Sequence, residues 1–294
     1  MIANAPPQNI EYLCLKSWDE ILGNADLKEY LKDLIYMVRC EGHRTGFNAL
    51  ITGESRSGKT AAVEYGMKCL GCFDFDFETL EACGKCWNCT STQQRSGNRD
   101  WENWCNIIPP EMVPTPIEYH YAPVDCTLLD QKSLNELTFD LEENQGMLNV
   151  IYLDEVHRLC SRNMDEKLLK PMEQFEAIWI ASSAYADRDD GSGRRPLEKM
   201  LQNRFTYRIT TEKPSEEELM IWLAERCDQF GIKVESPKTT LRQLAERSNR
   251  LPGMALQVVN KAYKKRNKTL TMKILDKHVF DFDDGILVEE TAND

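Results

Sequence analysis

The chain has 294 residues, 41% hydrophobic and 29% charged, with a formal net charge of −12. This length and balance suit one large soluble domain or two smaller ones, and no apolar run approaches the roughly 20 residues of a membrane span. The acidic surplus repels bare nucleic acid unless a local basic patch or an assembled pore offsets it. The opening "MIANAPPQNIEYL" lacks the basic flank and apolar core of a secretion signal, so a cytoplasmic chain with reduced thiols is expected.

The first strong signal is "FNALITG" followed by "GESRSGKT" and "AAVEYGMKCL". Apolar strand, glycine loop and helix in that order are the setting that G-x-x-x-x-G-K-[ST] needs, which sets the run apart from a polar turn that happens to hold two glycines. Gly53 and Gly58 let the backbone curl. The N–H groups along Gly53, Glu54, Ser55, Arg56, Ser57 and Gly58 then face phosphate oxygens, Lys59 reaches the β- and γ-phosphates, and Thr60 holds Mg²⁺. ATP and Mg²⁺ are the expected ligands.

Eleven cysteines without an export signal read as thiols or metal ligands. In "CFDFDFETLEACGKCWNC" the ending C-x-x-C-x-x-C presents Cys83, Cys86 and Cys89 within seven residues, and Cys72 closes a tetrahedral zinc site from the end of the preceding helix. Cys69 competes with Cys72 for the fourth position, and buried free cysteines are the plainer alternative. Residues 90–122, rich in Trp, Pro and Asn, read as an insertion after this knuckle (72–89). Trp87, Trp101 and Trp104 offer a partner surface there.

"YHYAPVDC" reads as the next core strand and "TLLDQKSLNELTFDLEENQ" as the helix after it. "LNVIYLDEVHRL" is a buried strand ending in two acids: Asp154 is placed to hold Mg²⁺ and Glu155 to polarise the attacking water, with His157 orienting the strand end. "DRDDGSGRRPLEKM" reads as a mobile loop. A smaller helical region follows, with Ser215 capping "EEELMIWLAERCDQ" and Gly231 closing it, then helices in "PKTTLRQLAERSNR" and "PGMALQVVNKAYKKRN". The basic runs "GRRPLEK" and "KAYKKRNK" read first as solvated faces, and the acidic tail "DFDDGILVEETAND" is expected to fray.

The order of these elements resembles the AAA+ family, and within it the gamma/tau-type subunit of the bacterial clamp loader. The resemblance runs from "SWDEILGN" through the glycine loop, the cysteine knuckle and "YLDEVHRL" to "LQNRF". It implies an α/β P-loop domain with a parallel sheet over 1–211, a helical lid over 212–280 and an acidic tail over 281–294. Ser183 in "IASSA" matches the sensor 1 polar position, with Ser182 as the other candidate. Arg204 matches the arginine that reaches a neighbour's γ-phosphate, which implies an oligomer of AAA+ subunits. The flanking Asn203 and Phe205 differ from the clamp-loader pattern and stand closer to Holliday-junction motors. The sensor 2 arginine position falls on Gly253 or Leu256, leaving Arg250 as a substitute, and the chain ends without room for a collar domain. The expected function is ATP-driven loading or remodelling of a protein client on DNA, with no membrane partner. The alternative is an ATP-dependent scaffold or defence-assembly module that does not bind DNA.

Overall fold

The computed structural model describes residues 15–86, 89, 119–184, 197–282 and 286–289. Most of the expected 90–122 insertion, Trp87, Trp101, Trp104 and much of the 187–200 loop lie outside these residues. Chain order begins with α1 (Ala25–Glu41), β1 (Ala49–Thr52), α2 (Lys59–Leu70), β2 (Tyr119–Asp125), α3 (Gln131–Glu143) and β3 (Leu148–Asp154). A 3₁₀ helix, Val156–Arg162, then leads to α4 (Leu169–Gln174), β4 (Ile178–Ser183), the short α5 (Lys199–Gln202) and β5 (Tyr207–Thr210).

These five strands form one parallel sheet in the order β2-β3-β4-β1-β5. Strand alternation divides its side chains between two cores. Ala49, Ile51, Val150, Tyr152, Ile178 and Ile180 pack with α1 and α2 on one face, while Leu50, Ile151, Leu153, Trp179 and Ala181 pack with α3 on the other. Helix α1 supplies Leu27, Tyr30, Leu31, Leu34, Ile35 and Val38 at the three-and-four spacing of one buried face. Pro123 sits in β2, the edge strand, where a missing N–H breaks no central ladder. Asn48, just before β1, accepts from the Trp179 N–H at 2.9 Å and donates to the Arg204 carbonyl at 3.2 Å, joining three parts of the chain.

The remaining residues form α6 (Glu216–Gln229), β6 (Lys233–Val234), α7 (Pro237–Arg247), α8 (Pro252–Tyr263), β7 (Thr269–Leu270), α9 (Met272–Asp276), β8 (His278–Asp281) and β9 (Ile286–Glu289). They share a core of their own, built on Leu219, Leu223, Leu244, Ala255, Val258, Val259 and Leu275. The cap expected at Ser215 is present, and Glu218 reciprocates it to form a capping box.

Two expectations need correction. The 281–294 segment does not simply fray: Ile286–Glu289 pairs antiparallel with His278–Asp281, because Phe280 and Leu287 find apolar cover on the helical core. The end of the 187–200 loop is ordered as α5, where Leu201 is fully buried.

Candidate functional site

The phosphate-type loop is held by contacts that its glycines permit. Gly53 has φ 150°, and a Cβ there would stand 1.8 Å from the Thr211 hydroxyl oxygen, so no other residue fits without displacing the end of β5. Three tethers fix the crest. Asn24 donates to the Ser57 carbonyl at 3.1 Å, Thr211 to the Ser57 hydroxyl at 3.0 Å, and the Gly253 N–H to the Arg56 carbonyl at 3.1 Å. Arg56 itself is left-handed at φ 65°. Gly58 caps α2, and a Cβ there would meet nothing within 4 Å, so the space over the loop is open to a ligand.

Lys59, the first residue of α2, is 5% exposed. Its ammonium donates to the carbonyls of Gly53 and Glu54, both at 2.8 Å. Burial pushes its pKa down against the pull of Glu155, Asp154 and Glu54. A buried cation bonded to neutral carbonyls is a favourable place for an anion, and with the helix N-terminus beside it the loop fits a nucleotide's phosphates.

Thr60 and Asp154, the expected Mg²⁺ pair, are brought together although they lie on α2 and β3. The Thr60 hydroxyl donates to the Asp154 carboxylate at 3.2 Å. Tyr152 donates to Asp154 at 3.1 Å, and Ser182 does so at 2.5 Å. A hydroxyl and an aligned carboxylate are hard oxygen donors of the kind Mg²⁺ takes. Glu155 follows in the left-handed region at φ 55°, its N–H donating to Ser182 Oγ at 3.2 Å. Its carboxylate lies 3.3 Å from His157 Nε2. Burial raises the Glu155 pKa, with Lys59 acting in the opposite sense.

The two serines of β4 divide. Ser182, the second choice on sequence, touches Asp154 and the Glu155 backbone. Ser183 instead lies 3.3 Å from His157 Nδ1. Arg204 stands apart from this group: its side chain is partly exposed and pairs with Glu173 on α4. The exposed Arg250 lies in the turn before α8, where Asn249 comes within 3.5 Å of the Glu54 carboxylate. Glu54 also pairs with Lys213 at 2.7 Å.

At the far end of α2, the sulfurs of Cys72, Cys83, Cys86 and Cys89 all lie within 4.8 Å of one another. Contacts of 3.4 Å (Cys86 to Cys89), 4.0 Å (Cys83 to Cys89) and 4.0 Å (Cys86 to Cys72) match the ~3.8 Å edge of a tetrahedron with Zn–S bonds of ~2.3 Å. Hydrogen bonds from Cys72 and Cys89 push the Cys86 pKa down. Cys69 does not compete for the site. It faces the core beside Tyr65, and burial pushes its thiol up to about 12. Arg39 of α1 donates to the carbonyls of Cys69 (3.1 Å), Leu70 (2.8 Å) and Cys72 (2.9 Å), and stacks 4.4 Å from the Phe75 ring. No other cluster of metal-ligating side chains appears among the described residues, and His157 belongs to none.

Sequence reasoning missed several of these parts. Tyr152 reads as one more apolar strand residue, yet its hydroxyl bonds both Thr60 and Asp154. Asn24, Arg39 and Thr211 carry no local signal, because their partners lie far away in the chain.

No protein-family model matches the chain, and no curated protein does. Solved structures do. Thermotoga maritima RuvB, described as a Holliday junction branch migration motor, matches with a TM-score of 0.57 at 15% identity, over 90% of this chain and 71% of its own. A proline-to-glycine variant of the same protein gives 0.57 at 16% over 93% and 76%, and a threonine-to-valine variant 0.56 at 16% over 90% and 71%. Among the described residues no helix is long and apolar enough to cross a membrane. With its parallel five-stranded sheet flanked by helices and its glycine loop at the end of β1, this chain has the AAA+ P-loop fold.

Proposed function

We propose that the protein is an Mg²⁺-dependent ATPase of AAA+ type that works in an oligomer to load or remodel a protein client on DNA. The observation that carries this reading is the convergence of Lys59, Thr60, Asp154 and Glu155 at one end of the sheet, from the start of α2 and the end of β3. Lys59 binds and neutralises the β- and γ-phosphates. Thr60 and Asp154 hold Mg²⁺, which supplies charge neutralisation on the phosphate oxygens. Glu155, half-shielded and raised in basicity, accepts the proton of the attacking water. Ser182 keeps Asp154 and the Glu155 backbone in register.

We divide the chain into domains at 1–211 and 212–280; separate apolar cores among the described residues support this division, and β9 extends the second past residue 280. Four thiolates around one zinc make a closed structural centre, since a Cys₄ site leaves no position for water. A four-cysteine knuckle directly after the P-loop helix supports the resemblance to gamma/tau-type clamp loaders. The fold is shared with a DNA motor, and a cytoplasmic setting agrees with the reduced thiols. Arg204 serves a neighbouring subunit's site and leaves Glu173 to do so.

Turnover measurements test the reading. Glu155→Gln should keep ATP binding and lose about 10²–10⁴-fold in rate, and Arg204→Ala should lose about 10³-fold or more. Mixing the two variants should restore part of the activity. The second reading, a scaffold that binds ATP without acting on DNA, draws on the Arg204–Glu173 pair within one chain. It predicts turnover that ignores protein concentration, DNA and Arg204→Ala alike.

A further inference from the structure

His157 follows the catalytic acids by two residues and is placed between two things that only a particular form of its ring can join. On one side, the Ala184 N–H lies 3.4 Å from Nδ1 and the Ser183 hydroxyl 3.3 Å from the same nitrogen. A backbone N–H can only donate, so Nδ1 accepts. The proton of the neutral ring then sits on Nε2. On the other side, Nε2 stands 3.3 Å from Glu155 Oε2, with the imidazole 14% and the carboxylate 29% exposed. The ring therefore holds its N–H within reach of the carboxylate that acts as base, at a separation of 3.3 Å but off line for a hydrogen bond as the side chains lie.

Glu155 needs such a hold. Its backbone is left-handed without being glycine, so the direction of its side chain is not one that the strand enforces. Ser182 fixes its N–H and leaves the carboxylate to find another partner.

We propose that His157 is a positioning residue that aims Glu155 at the attacking water, and that Ser183 and Ala184 set the ring's tautomer from the end of β4. Ser183 then acts on the base through the histidine, while Ser182 serves the metal ligand. This rests on the reading of Glu155 as the base. A base free to rotate is misaligned for most of its time, and misalignment costs rate without costing substrate affinity.

The tests are kinetic and spectroscopic. His157→Asn keeps a polar atom at the Nδ1 level and cannot reach Glu155, whereas the longer His157→Gln brings its amide N–H towards the carboxylate. With thermal melting matched, the Asn variant should lose about 10-fold or more in kcat at constant KM for ATP, and the Gln variant should recover most of it. Adding His157→Asn to Glu155→Gln should change the residual rate little, since there is no carboxylate left to aim. An equal loss in both backgrounds would indicate a general structural role and overturn the proposal. So would an Asn variant as fast as the native protein, even with Glu155→Gln inactive. A native-rate Glu155→Gln would overturn the base assignment and this proposal together. Independently of turnover, nitrogen-15 NMR of the imidazoles should show His157 protonated on Nε2, and the chain holds four histidines. A proton on Nδ1 would sink the geometry argued here.

Discussion

Helix α2 carries a candidate ligand site at each end, and the two ends are built on opposite electrostatic plans. At the start, Gly58 and the loop leave amide groups facing outward beside the Lys59 ammonium, a place for anions. At the finish, the carbonyls of Cys69, Leu70 and Cys72 are covered by the Arg39 guanidinium before the chain enters the cysteine cluster. A divalent ion held by four thiolates carries net negative charge, which the carbonyl end of a helix disfavours. Arg39 covers those carbonyls, and the cysteines around it, Cys72 foremost, hold up its charge against burial. One end is arranged for a ligand that comes and goes, the other for one that stays.

Loss of the metal should have the largest effect. Cys86→Ser, or exhaustive chelation, should remove about one zinc per chain on elemental analysis and lower thermal stability by several kcal/mol. ATP affinity should change far less. Next, Lys59→Met should weaken ATP binding on the order of 10²-fold, because a charged hydrogen-bond donor to phosphate is lost, while zinc content stays at the native level. If either variant impaired both ends equally, the ends would not be independent.

Subtler changes sharpen the contrast. Arg39→Met should lower zinc affinity about 10–100-fold, as removal of an outer-shell partner does, and destabilise the fold by ~1–3 kcal/mol through carbonyls left without a donor. Competition with a chromophoric chelator reads the first and thermal unfolding the second. Gly253→Ala should be milder. A Cβ there would lie 2.9 Å from the Arg56 Cβ and 3.0 Å from its carbonyl oxygen, so the start of α8 must retreat from the loop. A cost of about 1 kcal/mol, the low end for overpacking, is expected, seen as weaker ATP binding in calorimetry with zinc content unaffected.

Much of this was legible in the sequence where the chemistry is local. The glycine loop, the Asp154–Glu155 pair, the cysteine spacing and the Ser215 cap each lie within a few residues, and each pattern exists because its atoms must meet over that short distance. Choices between adjacent residues were not legible. Whether Ser182 or Ser183 faces Asp154 depends on how β4 ends beside β3; by contrast the choice of Cys72 over Cys69 holds, since α2 unwinds at Gly71 just before it. Arg204 was found as a residue, while its pairing with Glu173 depends on the approach of α4, which no local pattern encodes.

Asn48 shows what such long-range closure implies for the protein as it is made. Its side chain ties β1 to partners 131 and 156 residues further along, at Trp179 and Arg204. Among the described residues β1 pairs with β4 and β5. The loop-bearing strand therefore emerges from the ribosome long before either neighbour exists, and at ~5–20 residues per second it waits for many seconds with its apolar side chains uncovered. Pairings of this sequence separation form slowly even in the complete chain. A nucleotide at the glycine loop could not assist the early stages, because the loop is tied down by Thr211, just after β5, and by Gly253 of α8.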